Sequence, residues 1–229
     1  MRIWASTLIV MVMTCVAAPG RSDECGDLRP GPGPFEGIDI DYESAVHRLL
    51  LTPEKHEPDV QMVRLSAGEP TEDAVYIIDK HEHSLPPRKP DYELVSVRAQ
   101  SSILEAISKN GPMAMVPVDI RRVPIDPNLV EELRKIWQQM IRRAAFPSSL
   151  DIEGLDTEYY FTAKLDVGPG SAYVMGPPRG TCPAAFAELG ELLFDYANVD
   201  AKQRSALREK LLRQAKELRA RLSQVRTGR

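Results

Sequence analysis

The chain has 229 residues, 43% apolar, 27% charged and 6% aromatic, enough for one sizeable domain or two small ones and too mixed for a collagen-like, low-complexity or wholly disordered chain. Its formal net charge is −4, so no global basic field speaks for nucleic acid. The one continuous apolar stretch lies at the extreme N-terminus, which excludes a polytopic membrane protein.

Residues 1–20 read as an export signal. Arg2 supplies the positive start, Ile3 to Val16 are almost wholly apolar, and Ala17, Ala18 and Gly20 are small residues that suit cleavage after Ala17 or Gly20. The apolar run is shorter than the roughly 20 residues a spanning helix needs. The alternatives are a retained membrane anchor and a lipid anchor at Cys15, although Thr14 stands where a lipoprotein box has Ala or Gly. Whether Cys15 is cut away or lipidated, Cys25 and Cys182 remain, and an even number in an oxidising compartment predicts a disulfide. Two unpaired thiols or an intermolecular bridge are the other readings. Neither cysteine belongs to a C-x-x-C pair, so zinc and thioredoxin-like chemistry have no support. The expected location is periplasmic or secreted.

Residues 21–37 form the next unit. The alternating Pro30-Gly31-Pro32-Gly33-Pro34 suits neither helix nor sheet and predicts an extended spacer. A single domain over 38–199 and a basic tail over 200–229 follow. A short helix is expected over Tyr42 to Leu51, ended by Thr52-Pro53. Strands are expected at Val60–Leu65, Ala74–Asp79 and Tyr92–Ala99, the second being the most continuous and therefore central. Ser102 with Glu105 reads as a capping box, and Asn110-Gly111 stops the helix it opens. A strand from Met113 to Val123 carries Pro117, which confines it to an edge or a bulge.

The clearest helix opens at Asp126, with Pro127 in its first turn. Leu129, Leu133, Ile136 and Met140 form its apolar stripe, and Arg142 and Arg143 close it. Thr157 to Leu165 alternates, with Tyr159, Phe161, Ala163 and Leu165 on one face, and Ser171 to Met175 returns antiparallel after a Gly168-Pro169-Gly170 turn. A helix from Pro183 to Ala197 follows, and Asp200 caps a last helix running to about Gln224. The sum is an α+β fold, mainly an antiparallel sheet with amphipathic helices on one face and a long basic C-terminal helix.

One stretch carries a resemblance. The helix after Asp126 leads to Gly154-Leu155-Asp156, the strand Thr157-Glu158-Tyr159-Tyr160-Phe161, a return strand ending in Pro177-Pro178-Arg179-Gly180, and a helix with Leu192-Leu193-Phe194-Asp195-Tyr196-Ala197. Over residues 125–197 this resembles small exported bacterial proteins of unassigned activity, which have a tryptophan in the return strand where this chain has Tyr173 or Val174. The resemblance implies an envelope location and assigns no chemistry.

For chemistry, the sharpest cluster is Asp79-Lys80-His81-Glu82-His83. On a strand, Asp79, His81 and His83 would project to one side, a start for a divalent metal site and for a metal-dependent hydrolase; a solvated strand end is the plainer reading. No serine has a G-x-S-x-G setting, and no Gly-rich loop opens a helix for phosphate. Cys182 sits at a helix start, where a thiolate is favoured, but Cys25 explains it better. The acids Asp151, Glu153, Asp156 and Glu158 fix nothing by spacing alone.

Charge is unevenly spread: residues 200–229 sum to +7 and residues 21–199 to −12. Leu207, Leu211, Leu218, Leu222 and Val225 make a stripe with heptad-like spacing. Three roles fit this helix: packing on its own acidic body, binding a protein partner or a second copy, and contact with anionic lipid at a membrane surface. Nucleic acid is not expected, because the segment has no aromatics. The function expected is that of a non-enzymatic, protein-binding envelope protein such as an inhibitor, immunity factor or accessory. The alternative is the metal-dependent hydrolase at Asp79, His81 and His83.

Overall fold

A computed structural model describes residues 25, 28–31, 40–51, 57–65, 72–82, 88–145 and 157–224. The elements in chain order are β1 (Arg29–Pro30), α1 (Ile40–Val46) continued by a π-turn (His47–Leu51), β2 (Val60–Leu65), β3 (Asp73–Asp79), β4 (Tyr92–Ala99), α2 (Ile103–Asn110), β5 (Val118–Pro124), α3 (Pro127–Ile141), β6 (Glu158–Leu165), β7 (Gly168–Met175), α4 (Cys182–Asn198) and α5 (Ala201–Gln224). The strands form one sheet in the order β1-β7-β6-β2-β3-β4-β5. Every neighbouring pair is antiparallel. The fold is α+β, as the sequence predicts.

Period two divides the sheet into two apolar faces. Val60, Met62, Val75, Ile77, Leu94, Phe161, Ala163 and Val174 join α3, α4 and α5 in one core. Trp137 anchors it, fully buried, with its indole Nε1 donating to the Gln61 carbonyl at 3.0 Å and its ring edge-on to Phe186 at 4.5 Å. Gly190 lets α4 approach β2: a Cβ there would overlap the Met62 sulfur. The long helices thus share one face. The opposite face is not bare, because Val63, Ala74, Tyr76, Ile78, Val95 and Val97 are covered by α1, the π-turn and α2. With both faces buried, β3 reads as a nearly unbroken apolar run.

Local signals explain most boundaries. The Ser102 hydroxyl accepts the Glu105 N–H at 3.2 Å, and Gly111, at φ +82°, ends α2. Asp126 accepts the Asn128 N–H at 2.7 Å, and Asp200 accepts those of Lys202 and Gln203 at 2.9 and 3.0 Å.

Three expectations need correction. Residues 21–37 are not all spacer: Cys25 and Leu28 are buried, Arg29 and Pro30 pair with Tyr173 and Ala172 of β7, and Ala145 N–H donates to the Leu28 carbonyl at 2.9 Å. Proline is tolerated there because β1 is an edge strand. The strand expected from Met113 begins only at Val118, after Pro117, whose carbonyl accepts the Gln100 N–H at 2.9 Å. The third concerns the tail. Leu211, Leu218 and Leu222 are buried and Leu207 half-buried against α3 and α4, so the stripe is covered by this chain and is not a bare partner surface. Val225 lies outside the described residues. The basic residues face outward or tie the helix down, as Arg208 does to Asp126 and Arg219 to Glu132, both at 2.6 Å.

Cys25 and Cys182 are joined by a disulfide, Cα to Cα 4.6 Å, across a sequence separation of 157. Among the described residues no helix is long and apolar enough to cross a membrane.

Candidate functional site

The metal reading rests on a strand continuing through His83, but β3 ends at Asp79 and a turn follows at Lys80–Glu82. Parity therefore does not carry from Asp79 to His81, and His83 lies outside the described residues. Asp79 Oδ1 accepts the N–H groups of His81 and Asp91 at 2.9 and 3.2 Å, so this carboxylate closes the turn. His81 Nδ1 lies 3.0 Å from the Lys89 carbonyl. Among the described residues no group of three or more His, Cys, Asp or Glu could hold a metal ion.

A charged row, unforeseen in the sequence, crosses the sheet on the α4 side. Tyr159, Arg64, Asp73 and Arg98 are successive register partners on β6, β2, β3 and β4. Asp73 is 1% exposed and accepts from Arg64 Nε at 3.2 Å and Nη2 at 2.5 Å, with Arg98 Nη2 3.6 Å away. Arg98 stacks 4.3 Å above the Phe194 ring, and Tyr159 donates its hydroxyl proton to Glu191 at 2.6 Å. Burial pushes the Asp73 carboxyl above the ordinary carboxylate range, against the pull of Arg64 and Arg98. Burial, with Glu191 second, raises the Tyr159 phenol and keeps it a proton donor. Beside the row opens a wide cleft of about 310 Å³ lined by Tyr159, Arg179, Glu188 and Glu191. Tyr159 and Arg64 reach Glu191 and Arg98 reaches Phe194, so the row ties α4 to the sheet. The signal was present: Arg64 and Asp73 occupy the parity of Met62 and Val75, where a charge is out of place.

The second feature is the β5 edge. Asp119, Ile120, Arg121 and Arg122 are exposed, Ile120 by 42%. Gln100 N–H donates to the Pro117 carbonyl, and Ile125 N–H to the Tyr92 carbonyl at 3.3 Å. Antiparallel ladders alternate, so the odd-numbered residues face β4, while Val118, Ile120 and Arg122 aim their main-chain N–H and C=O outward. Pro124 falls on the outward set, where its missing N–H costs the ladder nothing. Asp119 and Arg121 share the face of Val123, and Ile120 takes the other. Asp119 accepts from Gln100 Nε2 at 3.0 Å, and Arg122 donates to Glu93 at 3.2 Å. The sequence reading of an edge or a bulge rests on Pro117 inside the strand, but Pro117 precedes it and faces β4, and the proline within the strand on the outward side is Pro124.

Comparison with protein-family models, with curated proteins and with solved structures finds no match to this chain, so the likeness seen over residues 125–197 rests on its own motifs.

Proposed function

We propose that this is an exported envelope protein, periplasmic or secreted, that works by protein binding and not by catalysis, as an inhibitor, an immunity factor or an assembly accessory does. Export is supported by the leader reading of residues 1–20 together with the Cys25–Cys182 disulfide, a bond that persists in oxidising compartments. The observation that carries the binding reading is the outer side of β5, with which no strand pairs among the described residues, and whose outward main-chain groups and exposed Ile120 offer an added strand its hydrogen bonds and an apolar contact. The hydrolase alternative has weaker support, because the Asp79 carboxylate is engaged by two main-chain donors.

The test places a photoreactive side chain at Ile120 and, as control, at Lys216, which is exposed on α5. Irradiation of cells making the full-length chain should give a protein adduct at position 120 and none at 216. Alkylation of the chain from the envelope fraction should label neither Cys25 nor Cys182 until a reductant is added. Equal adducts at both positions, or none, would overturn the binding reading; free thiols would overturn export.

A further inference from the structure

We infer that the partner of the β5 edge is a second copy of this chain, joined strand to strand about a two-fold axis through Ile120, so that two sheets become one. This rests on the edge-binding reading and adds the occupant.

The argument is the self-complementarity of Val118-Asp119-Ile120-Arg121-Arg122. In an antiparallel pair about a two-fold at Ile120, Ile120 meets its own copy, Asp119 meets Arg121, and Val118 meets Arg122. Because Val118, Ile120 and Arg122 aim their main-chain groups outward, all these hydrogen-bonding pairs close at once, giving about six N–H···O=C bonds. Asp119 and Arg121 then fall at the non-hydrogen-bonded positions, where opposed side chains come closest, and the ion pair forms twice.

Neighbouring registers lack this match. Moving the axis by one residue sets Asp119 against Asp119, or Arg121 against Arg121. Centring on Arg122 opposes the two Arg122 side chains and brings Pro124, which has no N–H, opposite Ile120. Centring on Val118 runs the partner into Pro117 and Met115, which lie before the strand. An edge defended only against association would carry one sign of charge. Here the nearby registers either oppose like charges or run past the end of the strand, and only the axis at Ile120 pairs opposite charges.

The test uses the full chain with its disulfide intact. Asp119→Arg and Arg121→Asp, made separately, each turn both interfacial ion pairs into like-charge contacts, and each should weaken the dimer at least about tenfold in sedimentation equilibrium. Mixing the two variants sets a chain with arginine at both positions against a chain with aspartate at both. Both ion pairs then form again, and a 1:1 dimer of near wild-type strength should return. Restoration also shows that both variants are folded. Single variants that dimerise as well as wild type, or a mixture that stays monomeric, would overturn the inference. The photoadduct at position 120 separates the two levels. An adduct of twice the chain mass supports the dimer; one of any other mass overturns the dimer and leaves edge binding standing; no adduct overturns both.

Discussion

Asp73 shows what a single buried charge does in this fold. Its carboxylate is almost wholly enclosed and joins Arg64 and Arg98, so removing it strips Arg98 of its counter-charge and leaves Arg64 with only Glu191, 3.7 Å away. Breaking such a pair from one side is strongly destabilising, and Asp73→Ala should cost about 3 kcal/mol, read from the urea midpoint at unchanged slope. Arg98→Ala, whose side chain is 45% exposed, should cost less than about 1 kcal/mol. Equal losses would mean that the row acts as a unit whose energy is not centred on Asp73. Glu72 obeys the same logic on the other face: its buried carboxylate accepts the Ile103 and Leu104 N–H groups that open α2, and the Tyr42 hydroxyl at 3.2 Å. The sequence held the sign of these groups, a charge on core parity or beside a strand, but not their partners. Register across four strands joins Tyr159 to Arg98, and single-strand periodicity contains no register. The same limit undid the Asp79–His81 parity, since a strand end is set by the turn that Asp79 itself caps.

At the scale of elements, helix starts were legible because each is written in adjacent residues. Asp126, Pro127 and the stripe from Leu129 to Met140 specify α3 without help from the rest of the chain. What adjacency hides is that Asp126 also holds α5 through Arg208. That guanidinium, with burial opposing it and the Asn128 N–H assisting, sets the Asp126 carboxyl below its ordinary value of 3.8. A carboxyl lowered by folding lends stability that is present above the unfolded value and lost as pH falls through the folded one. Asp126→Asn keeps an oxygen to cap α3 and removes only the charge. The variant should therefore be less stable than wild type by a few tenths to about 1 kcal/mol above roughly pH 5, and the difference should shrink as pH falls below the ordinary carboxylate value. Thermal melts of both chains across that range check it. A pH-independent difference would assign the effect to capping geometry instead. Strand β5 is the contrasting case: Pro117 leaves an edge and a bulge both open, while the start at Val118 and the outward set of Ile120 follow from pairing with β4.

For the whole molecule, composition foretold a charge-split chain but not where the split would be used. The apolar stripe of α5 could have faced a partner, a bilayer or its own body, and nothing local distinguishes them, because all three bury the same leucines. The structure places Leu211, Ala215, Leu218 and Leu222 in the core shared by α3 and α4, and the cations outside it. The cysteine pair acts at the same scale. It pins the segment before β1 to the start of α4, closing a loop long enough for a stabilisation of about 5 kcal/mol as an upper figure. The spacer reading fails for the same reason: Pro and Gly report local stiffness, whereas a distant thiol and pairing with β7 decide where Cys25 and residues 28–31 lie. A test of the tail follows from this placement. Each buried leucine contributes roughly 1.5–3 kcal/mol, so losing three of them matches much of the stability of an ordinary domain, about 5–15 kcal/mol. Deleting residues 200–229 should abolish the cooperative melt and expose α3 and α4 to a hydrophobic dye. Replacing the exposed Lys202, Lys210, Arg213 and Lys216 with Gln, with the stripe intact, should shift stability by less than about 0.5 kcal/mol. A truncated chain that still melts sharply within a few degrees of wild type would show that α5 is a docked appendage, and its leucines would again be open to a partner.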